Sequence, residues 1–152
     1  MSNLISVVVR CVFNLVVDYS RPINDSIAAG NHRYNRSEIN DKNFPPVEHE
    51  QGKKNVQFTL YRFCKIVDSC YVIADMERDG MRPATLRELL AFSEVNPELQ
   101  ELPLISLGSI YVSHIDDHRV VYMRRCRSQR GLDLRYCYGR WRGYCRFLAV
   151  SK

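Results

Sequence analysis

The chain has 152 residues, of which 45% are hydrophobic and 26% are charged, and its formal net charge is +5. This composition is too apolar for a disordered protein, and the length fits one ordinary domain. No apolar stretch reaches the roughly 20 residues of a membrane-spanning helix, and the apolar start lacks the features of a signal peptide. We therefore expect a single cytoplasmic domain over residues 1–152, with no membrane contact.

The first third predicts a strand, a helix and a loop. Residues 5–19 are dominated by Val, Ile, Leu and Phe, which is typical of a long strand. Residues 20–30 offer a capping serine, a proline in the first turn, Ile23 and Ile27 at helical spacing, and a closing glycine, which together predict a short helix. The composition then turns polar, and residues from about 31 to 54 are predicted to form a surface loop, either functional or mobile.

The middle of the chain predicts a strand and two helices. Residues 55–66 alternate apolar with polar side chains, which indicates a half-buried strand. Asp68 is placed to cap a second helix that ends near Gly80. Thr85 and Glu88 have the spacing of a capping box, in which each side chain bonds the backbone N–H of the other. We therefore expect a third helix from about residue 86 to residue 95.

The last third changes to a period of two, which predicts an antiparallel meander. Turns are expected in the polar stretch 114–118 and around the glycines near residues 131 and 139–143. The predicted strands cover residues 104–112, 119–125, 132–138 and 144–150. The fold class is therefore predicted to be α+β.

The order R-P-A-T-L-R-E-L-L (82–90), the strand 107–113, a basic and aromatic hairpin, and Y-C-R-F-L-A-V (144–150) resembles C-type-lectin-like domains. It looks most like the bacterial and phage branch, which includes formylglycine-generating-enzyme-like modules and small uncharacterised proteins. The resemblance covers about residues 81–150. It implies an N-terminal strand paired with the C-terminal strand, two or three short helices and a C-terminal meander. The calcium-binding tripeptides of sugar-binding lectins and the reactive cysteine pair of formylglycine-forming enzymes are not identifiable here.

Arginine dominates the C-terminal strands. Nine arginines lie between residues 119 and 146, against Asp133 as the acidic residue of that stretch. Arginines interleaved with aromatic rings suit phosphate binding and base stacking. Alternatively, they line a solvated sheet face that acids of the segment 94–101 neutralise. Trp141 is expected to be a core residue, although the glycines at 139 and 143 permit a bend that would expose its ring for stacking. The candidate binding residues are Arg124, Arg125, Arg127, Arg135, Tyr136, Tyr138, Arg140, Trp141 and Arg142.

Other chemistry receives little support from the sequence. His114, Asp116, Asp117 and His118 could converge on a cation, but such residues in a turn more often face water, so we predict no metal site and no cofactor. The six scattered cysteines include no C-x-x-C pair, which favours reduced thiols over disulfides. No common hydrolase, nucleotide-binding or metalloprotease motif is present.

These observations support three functional hypotheses. The first is a non-enzymatic binding module that uses its Arg/Tyr-rich C-terminal β surface to hold a protein or a polyanion. The second is a nucleic-acid-binding protein of phage or mobile-element origin that uses the same surface. The third is an enzyme whose active site assembles from dispersed residues, which we expect less than the other two.

Overall fold

The computed structural model describes residues 11–97 and 103–152. The described helices are α1 (Ile23–Ala29), α2 (Ser69–Arg78) and α3 (Leu86–Val95). The described strands are β1 (Cys11–Asp18), β2 (His32–Asn35), β3 (Lys53–Arg62), β4 (Val67–Asp68), β5 (Met81–Pro83), β6 (Leu104–Val112), β7 (His118–Cys126), β8 (Gln129–Tyr136), β9 (Arg140–Trp141) and β10 (Arg146–Ser151). Among these elements, no helix has the length and apolarity that crossing a membrane requires.

Eight of the described strands form one sheet in the order β1-β3-β10-β6-β7-β8-β2, with β5 paired to β10 beside that path. β4 and β9 form a separate two-stranded ribbon. β10 lies parallel to β6 and β2 lies parallel to β8, whereas the other pairs are antiparallel. The predicted α+β class is confirmed, and so is the antiparallel meander for β6, β7 and β8. The closing strand was predicted to belong to that meander, which is wrong, because β10 pairs with β6 in parallel.

Both faces of the sheet carry a hydrophobic core, because the central strands alternate apolar side chains between them. Helices α1 and α3 cover the first face, where Leu148 and Val150 of β10 are buried. Helix α2 covers part of the second face, where Phe147 and Ala149 of the same strand are buried. β10 therefore belongs to both cores, as expected for a central strand whose residues form a continuous apolar run.

Helices α2 and α3 begin as their sequences predict. The Asp68 side chain accepts the Tyr71 N–H (2.8 Å), and the capping box of Thr85 and Glu88 is fully formed. Ser109 adds a third contact, because its hydroxyl oxygen accepts the Leu86 N–H at 2.8 Å. These hydrogen bonds satisfy helix N–H groups that have no partner within the helix.

Helix α1 is capped differently from the prediction. Its N-cap is Pro22, which has no side chain to accept a hydrogen bond. Instead, the Asp41 carboxylate accepts the Ile23 N–H at 3.3 and 3.2 Å, from 18 residues further along the chain. The prediction that a serine caps this helix is wrong, because the Ser20 hydroxyl donates to the Asp18 carboxylate (2.6 Å) and does not accept from a helix N–H group.

The segment predicted as a polar loop, residues 31–54, contains β2 and the beginning of β3. Ile39 and Phe44 anchor it in the first core, with 3% and 4% of their surface exposed. Arg87 of α3 holds it further, by donating to the Phe44 carbonyl (2.8 Å) and to the Asp41 carboxylate (2.9 Å). The segment is therefore packed onto the helices and is not a free linker.

Two strand predictions need correction. The expected direct pairing of the N-terminal and C-terminal strands is wrong for the described residues, because β3 lies between β1 and β10 and pairs with both. β3 is also not half-buried along its whole length. Thr59 and Tyr61 are buried on the face predicted to be polar, where the second core covers them. Residues 5–10 of the predicted first strand lie outside the described residues.

Candidate functional site

The second face of the sheet is open over β2, β8 and the later part of β7, whereas Val120, earlier in β7, is buried in the second core. The β7–β8 register places Tyr122 opposite Asp133, Val120 opposite Arg135 and Arg124 opposite Gly131. Alternation along these strands aligns their side chains on one face. We call this surface the arginine face and define it by the side chains that point from it, which are Tyr34, Arg36, Tyr122, Arg124, Asp133 and Arg135.

Asp133 lies at the centre of the arginine face. One of its carboxylate oxygens is 3.4 Å from Arg36 Nη1, and the other is 3.4 Å from Arg124 Nε. Arg36 also pairs with Glu38 at 3.3 Å. The two arginine side chains are 44% and 40% exposed, so solvent weakens these ion pairs. The guanidinium groups can therefore exchange their acidic neighbours for an external anion at low cost.

Aromatic rings hold two of the arginines in position. The Arg124 guanidinium carbon lies 5.4 Å from the Tyr34 ring centre, and that of Arg135 lies 4.9 Å from the Trp141 ring. A Cβ on Gly131 would meet Tyr34 Cε2 at 2.1 Å, so the missing side chain is what lets Tyr34 lie over β8. Burial raises the pKa of Tyr34, and Arg124 opposes this shift. Both stacks keep a guanidinium group oriented before any partner arrives.

Two exposed tyrosines lie at the end of β8, where alternation places Tyr136 on the other face of the strand from Arg135. Tyr136 and Tyr138 are 51% and 61% exposed, and their rings pack edge to face with centroids 5.5 Å apart. His118 lies 5.6 Å from the Tyr138 ring. Exposed aromatic rings beside arginines can stack on a planar ligand group.

The structure separates the nine candidate binding residues into three groups. Arg124 and Arg135 lie on the arginine face, and Tyr136, Tyr138, Arg140 and Arg142 are exposed at its C-terminal margin. Arg125 and Arg127 are exposed at the opposite end, where β7 turns into β8. Trp141, the ninth, is in the second core.

Trp141 lies in the second core, beneath Arg135 of the arginine face. It is 1% exposed, its indole N–H donates to Ser69 Oγ (2.9 Å), and its ring packs edge to face on Phe147 at 5.8 Å. A ring buried to this extent cannot contact a partner directly. The prediction of Trp141 as a surface binding residue is therefore wrong, and the ring instead carries the Arg135 guanidinium that stacks on it.

Sequence reasoning missed Tyr34 and Arg36, which lie in the segment predicted as loop. Parallel pairing brings β2 beside β8, across about 100 residues of chain, for example His32 opposite Arg130. The available signal was the alternation of His32 and Tyr34 with polar neighbours in H-R-Y-N. Four residues with an asparagine are too short and too polar to indicate a strand reliably.

Of the acids predicted to neutralise the arginines, the described one, Glu94, does not lie on the arginine face. Glu94 pairs with Arg21 (2.8 Å), and residues 98–102 lie outside the described ranges. Within those ranges, no group of three or more His, Cys, Asp or Glu side chains could hold a metal ion. The cysteines at 64, 70, 126, 137 and 145 are free thiols, and burial raises the pKa of Cys137 and Cys145. No family model, curated protein or solved structure matches this chain.

Proposed function

We propose that this protein is a non-enzymatic binding module whose arginine face holds a polyanionic partner. The observation that carries the proposal is the pair of guanidinium–aromatic stacks, Arg124 on Tyr34 and Arg135 on Trp141, on an uncovered part of the sheet. The two stacks lie on either side of Asp133, and the positions 131 and 135 of β8 are roughly 13 Å apart in an extended strand. This spacing suits an extended polymer of repeated negative charges better than a compact ion.

The energetics favour an external anion over the internal acids. Arg36 and Arg124 share Asp133, and Arg36 also pairs with Glu38 at the margin of the face. With Arg135 the face carries three positive charges against these two acids, so positive charge remains uncompensated there. Charge-assisted hydrogen bonds from guanidinium groups to carboxylate or phosphate are stronger than neutral ones. The stacks reduce the conformational entropy that the two arginine side chains would lose on binding.

Binding of labelled heparin, followed by fluorescence anisotropy at about 50 mM salt, tests this proposal. We expect R124Q/R135Q to weaken binding at least about tenfold, because each glutamine removes a charge-assisted contact. The matched control is R21Q/R78Q, which removes the same charge from arginines outside the arginine face. Far-UV circular dichroism verifies that both variants are folded.

Two results would refute a polyanion site on this face. One is the absence of heparin binding by the unmodified protein at low salt. The other is an equal loss of affinity in R124Q/R135Q and R21Q/R78Q, which would show that net charge alone governs association.

A single-stranded nucleic acid is a second candidate partner, and the exposed pair Tyr136 and Tyr138 favours it. Stacking of a base on an aromatic ring contributes about 1–3 kcal/mol. The variant Y136A/Y138A is therefore expected to weaken binding of a labelled oligothymidylate and to leave heparin binding unchanged. Equal effects on both ligands would remove this candidate.

The finer description of the scaffold is also a proposal. The helix of R-P-A-T-L-R-E-L-L, the following strand and the closing strand of Y-C-R-F-L-A-V support a C-type-lectin-like origin. The position of β3 between the terminal strands departs from that pattern. We propose in the same sense that the protein acts in the cytoplasm and derives from a bacterium, phage or mobile element.

A further inference from the structure

A second cationic site lies at the other end of the sheet from β2. A pocket of about 460 Å³ is formed where the residue after β1, the segment before β3, the first residues of β3, β5 and the end of β10 meet. Lys54, Arg82 and Lys152 are among its lining residues, and none of the lining residues is Asp or Glu. We propose that this pocket binds a small organic anion that carries a carboxylate or a phosphate group.

The basic groups of the pocket are held in place by named contacts. Arg82 donates to both oxygens of the fully buried Glu88, at 2.9 and 2.7 Å, and the Tyr19 hydroxyl donates to Glu88 at 2.5 Å. Lys54 Nζ donates to the His49 carbonyl at 2.6 Å and lies 6.0 Å from the Tyr19 ring centre. The pocket is therefore ordered around its cations before a ligand binds.

The charge balance leaves positive charge for a ligand. Glu88 compensates Arg82 from behind the pocket, so Lys54 and Lys152 supply the remaining positive charges. Lys152 pairs with Glu77 at 3.9 Å, and the Glu77 side chain is 67% exposed. An ion pair exposed to this extent contributes little stability, so a bound carboxylate or phosphate can replace Glu77 as the partner of Lys152.

Neutral donors add specificity beside the two lysines. Arg82 donates to His49 Nε2 at 3.1 Å, and the same ring nitrogen lies 3.5 Å from Glu88 Oε2, so His49 is fixed in the wall of the pocket. Gln57 Oε1 accepts from the Ser151 hydroxyl at 2.9 Å, which leaves the amide N–H groups of Gln57 for a ligand. A carboxylate or phosphate oxygen accepts several such bonds at once, whereas a cation would find no acidic partner in this lining.

The pocket volume argues for a small molecule and against a polymer. Sites for small ligands measure about 300–1,000 Å³, and the pocket is formed by different strands from those of the arginine face. Occupation of the pocket and polyanion binding on the arginine face are therefore separate properties, and either can fail without the other.

Titration of the isotope-labelled protein with citrate and with inorganic phosphate, followed by amide chemical shifts, tests the pocket. We expect saturable shifts at residues 54–57 and 150–152 with at least one of these anions. K54Q/K152Q should weaken that binding about tenfold or more, because it removes two charge-assisted contacts. The matched control K42Q/K65Q removes the same charge from lysines outside the pocket and should change affinity less than about twofold.

A third variant places a negative charge in the pocket while keeping its hydrogen bond. In Gln57→Glu the new carboxylate can still accept from the Ser151 hydroxyl, so the fold is kept, yet it repels an anion. We expect binding to be lost in this variant. Shifts that do not saturate with either anion, shifts confined to the arginine face, or unchanged binding in Q57E would overturn the proposal.

Discussion

Arg130 shows how differently neighbouring arginines of one sequence are used. It is 5% exposed, and its guanidinium donates to the carbonyls of Gly30 (2.8 Å), Ser93 (2.6 Å) and Asn96 (2.9 Å). These carbonyls lie at the C-terminal ends of α1 and α3, where the helix dipoles favour a positive charge. Arg130 therefore joins two helix ends inside the protein, whereas Arg124 and Arg135 point to solvent.

His32 lies beside this buried charge and should make stability depend on pH. Its Nε2 is 3.1 Å from Ser93 Oγ, which itself donates to the Leu90 carbonyl, so His32 is the donor of that bond. Burial, followed by repulsion from Arg130, lowers the pKa of His32 from 6.5 to about 4. Between these values the unfolded chain binds a proton that the folded protein does not. The free energy of unfolding should therefore fall by about 3 kcal/mol as the pH drops from 6.5 to 4.

Urea denaturation at a series of pH values measures this effect. The variant His32→Gln retains a side-chain donor for Ser93 but has no titrating group. Its stability should vary less than that of the unmodified protein over the same pH interval, although Glu88, whose pKa is also lowered, contributes at more acidic pH. Identical pH profiles for the two proteins would contradict the assignment of His32.

At the scale of single elements, hydrogen bonds between residues close in sequence were predictable, whereas those between distant residues were not. The cap of α2 and the capping box of α3 were evident because donor and acceptor lie three residues apart. Glu88, in contrast, also accepts from Tyr19, 69 residues away, and Glu50 accepts from Thr85 across 35 residues. Burial alone would raise the pKa of Glu88, but hydrogen bonds from Arg82 and Tyr19 outweigh it and lower that pKa. No spacing rule could reveal these partners.

The same dependence on residues that are distant in sequence explains which parts of the candidate site could be predicted. The segments of β7 and β8 alternate apolar with polar residues, so the presence of strands that carry these arginines and tyrosines was predictable. Their division between surface and core was not, since Arg130 is buried by the ends of helices α1 and α3, which are far away in sequence. β2 was missed because its pairing with β8 stabilises a segment whose own strand propensity is low.

Gly131→Ala should separate β2 from β8. Because the new Cβ would lie 2.1 Å from Tyr34 Cε2, the tyrosine ring must leave its place over the strand. We expect a loss of about 1–3 kcal/mol in the free energy of unfolding, as for other overpacked sites. The Arg124 stack on Tyr34 should be lost as well, so heparin affinity should also fall.

A double-mutant cycle separates this clash from a general effect on the strand. In the Tyr34→Ala background the added methyl group has space, so Gly131→Ala should cost less there than in the unmodified protein. Chemical denaturation of the unmodified protein, the two single variants and the double variant gives the coupling free energy between the two substitutions. If the two substitutions were simply additive, the contact between Tyr34 and Gly131 would not be the cause.

At the scale of the whole molecule, the α+β class followed from the sequence but the strand order did not. Period-two segments identify strands, whereas the choice of neighbours depends on which apolar surfaces match after the chain has collapsed. The order β1-β3-β10 places a middle segment between the two terminal strands, and the resemblance had implied direct pairing. Burial of both faces of β3 and β10 follows from this central position and not from any local pattern.

The two cores should unfold together, because β3 and β10 contribute to both of them. Trp141, the single tryptophan of the chain, lies in the core beneath α2, so its fluorescence reports on that side of the sheet. Far-UV circular dichroism reports on the helices and strands of the whole protein. We expect coincident urea transitions from the two signals, as for one cooperative domain. Two separated midpoints would instead indicate that the cores are independent units.

The central place of β10 bears on how the protein is made. Residues 146–151 pair with β3, β5 and β6, and Leu148 lies opposite Leu60, 88 positions earlier. During translation, the partner strands emerge from the ribosome long before this one, with apolar surface on both faces still uncovered. The sheet can close only when residues 146–151 have left the exit tunnel, so both apolar faces of the earlier strands stay exposed until that point.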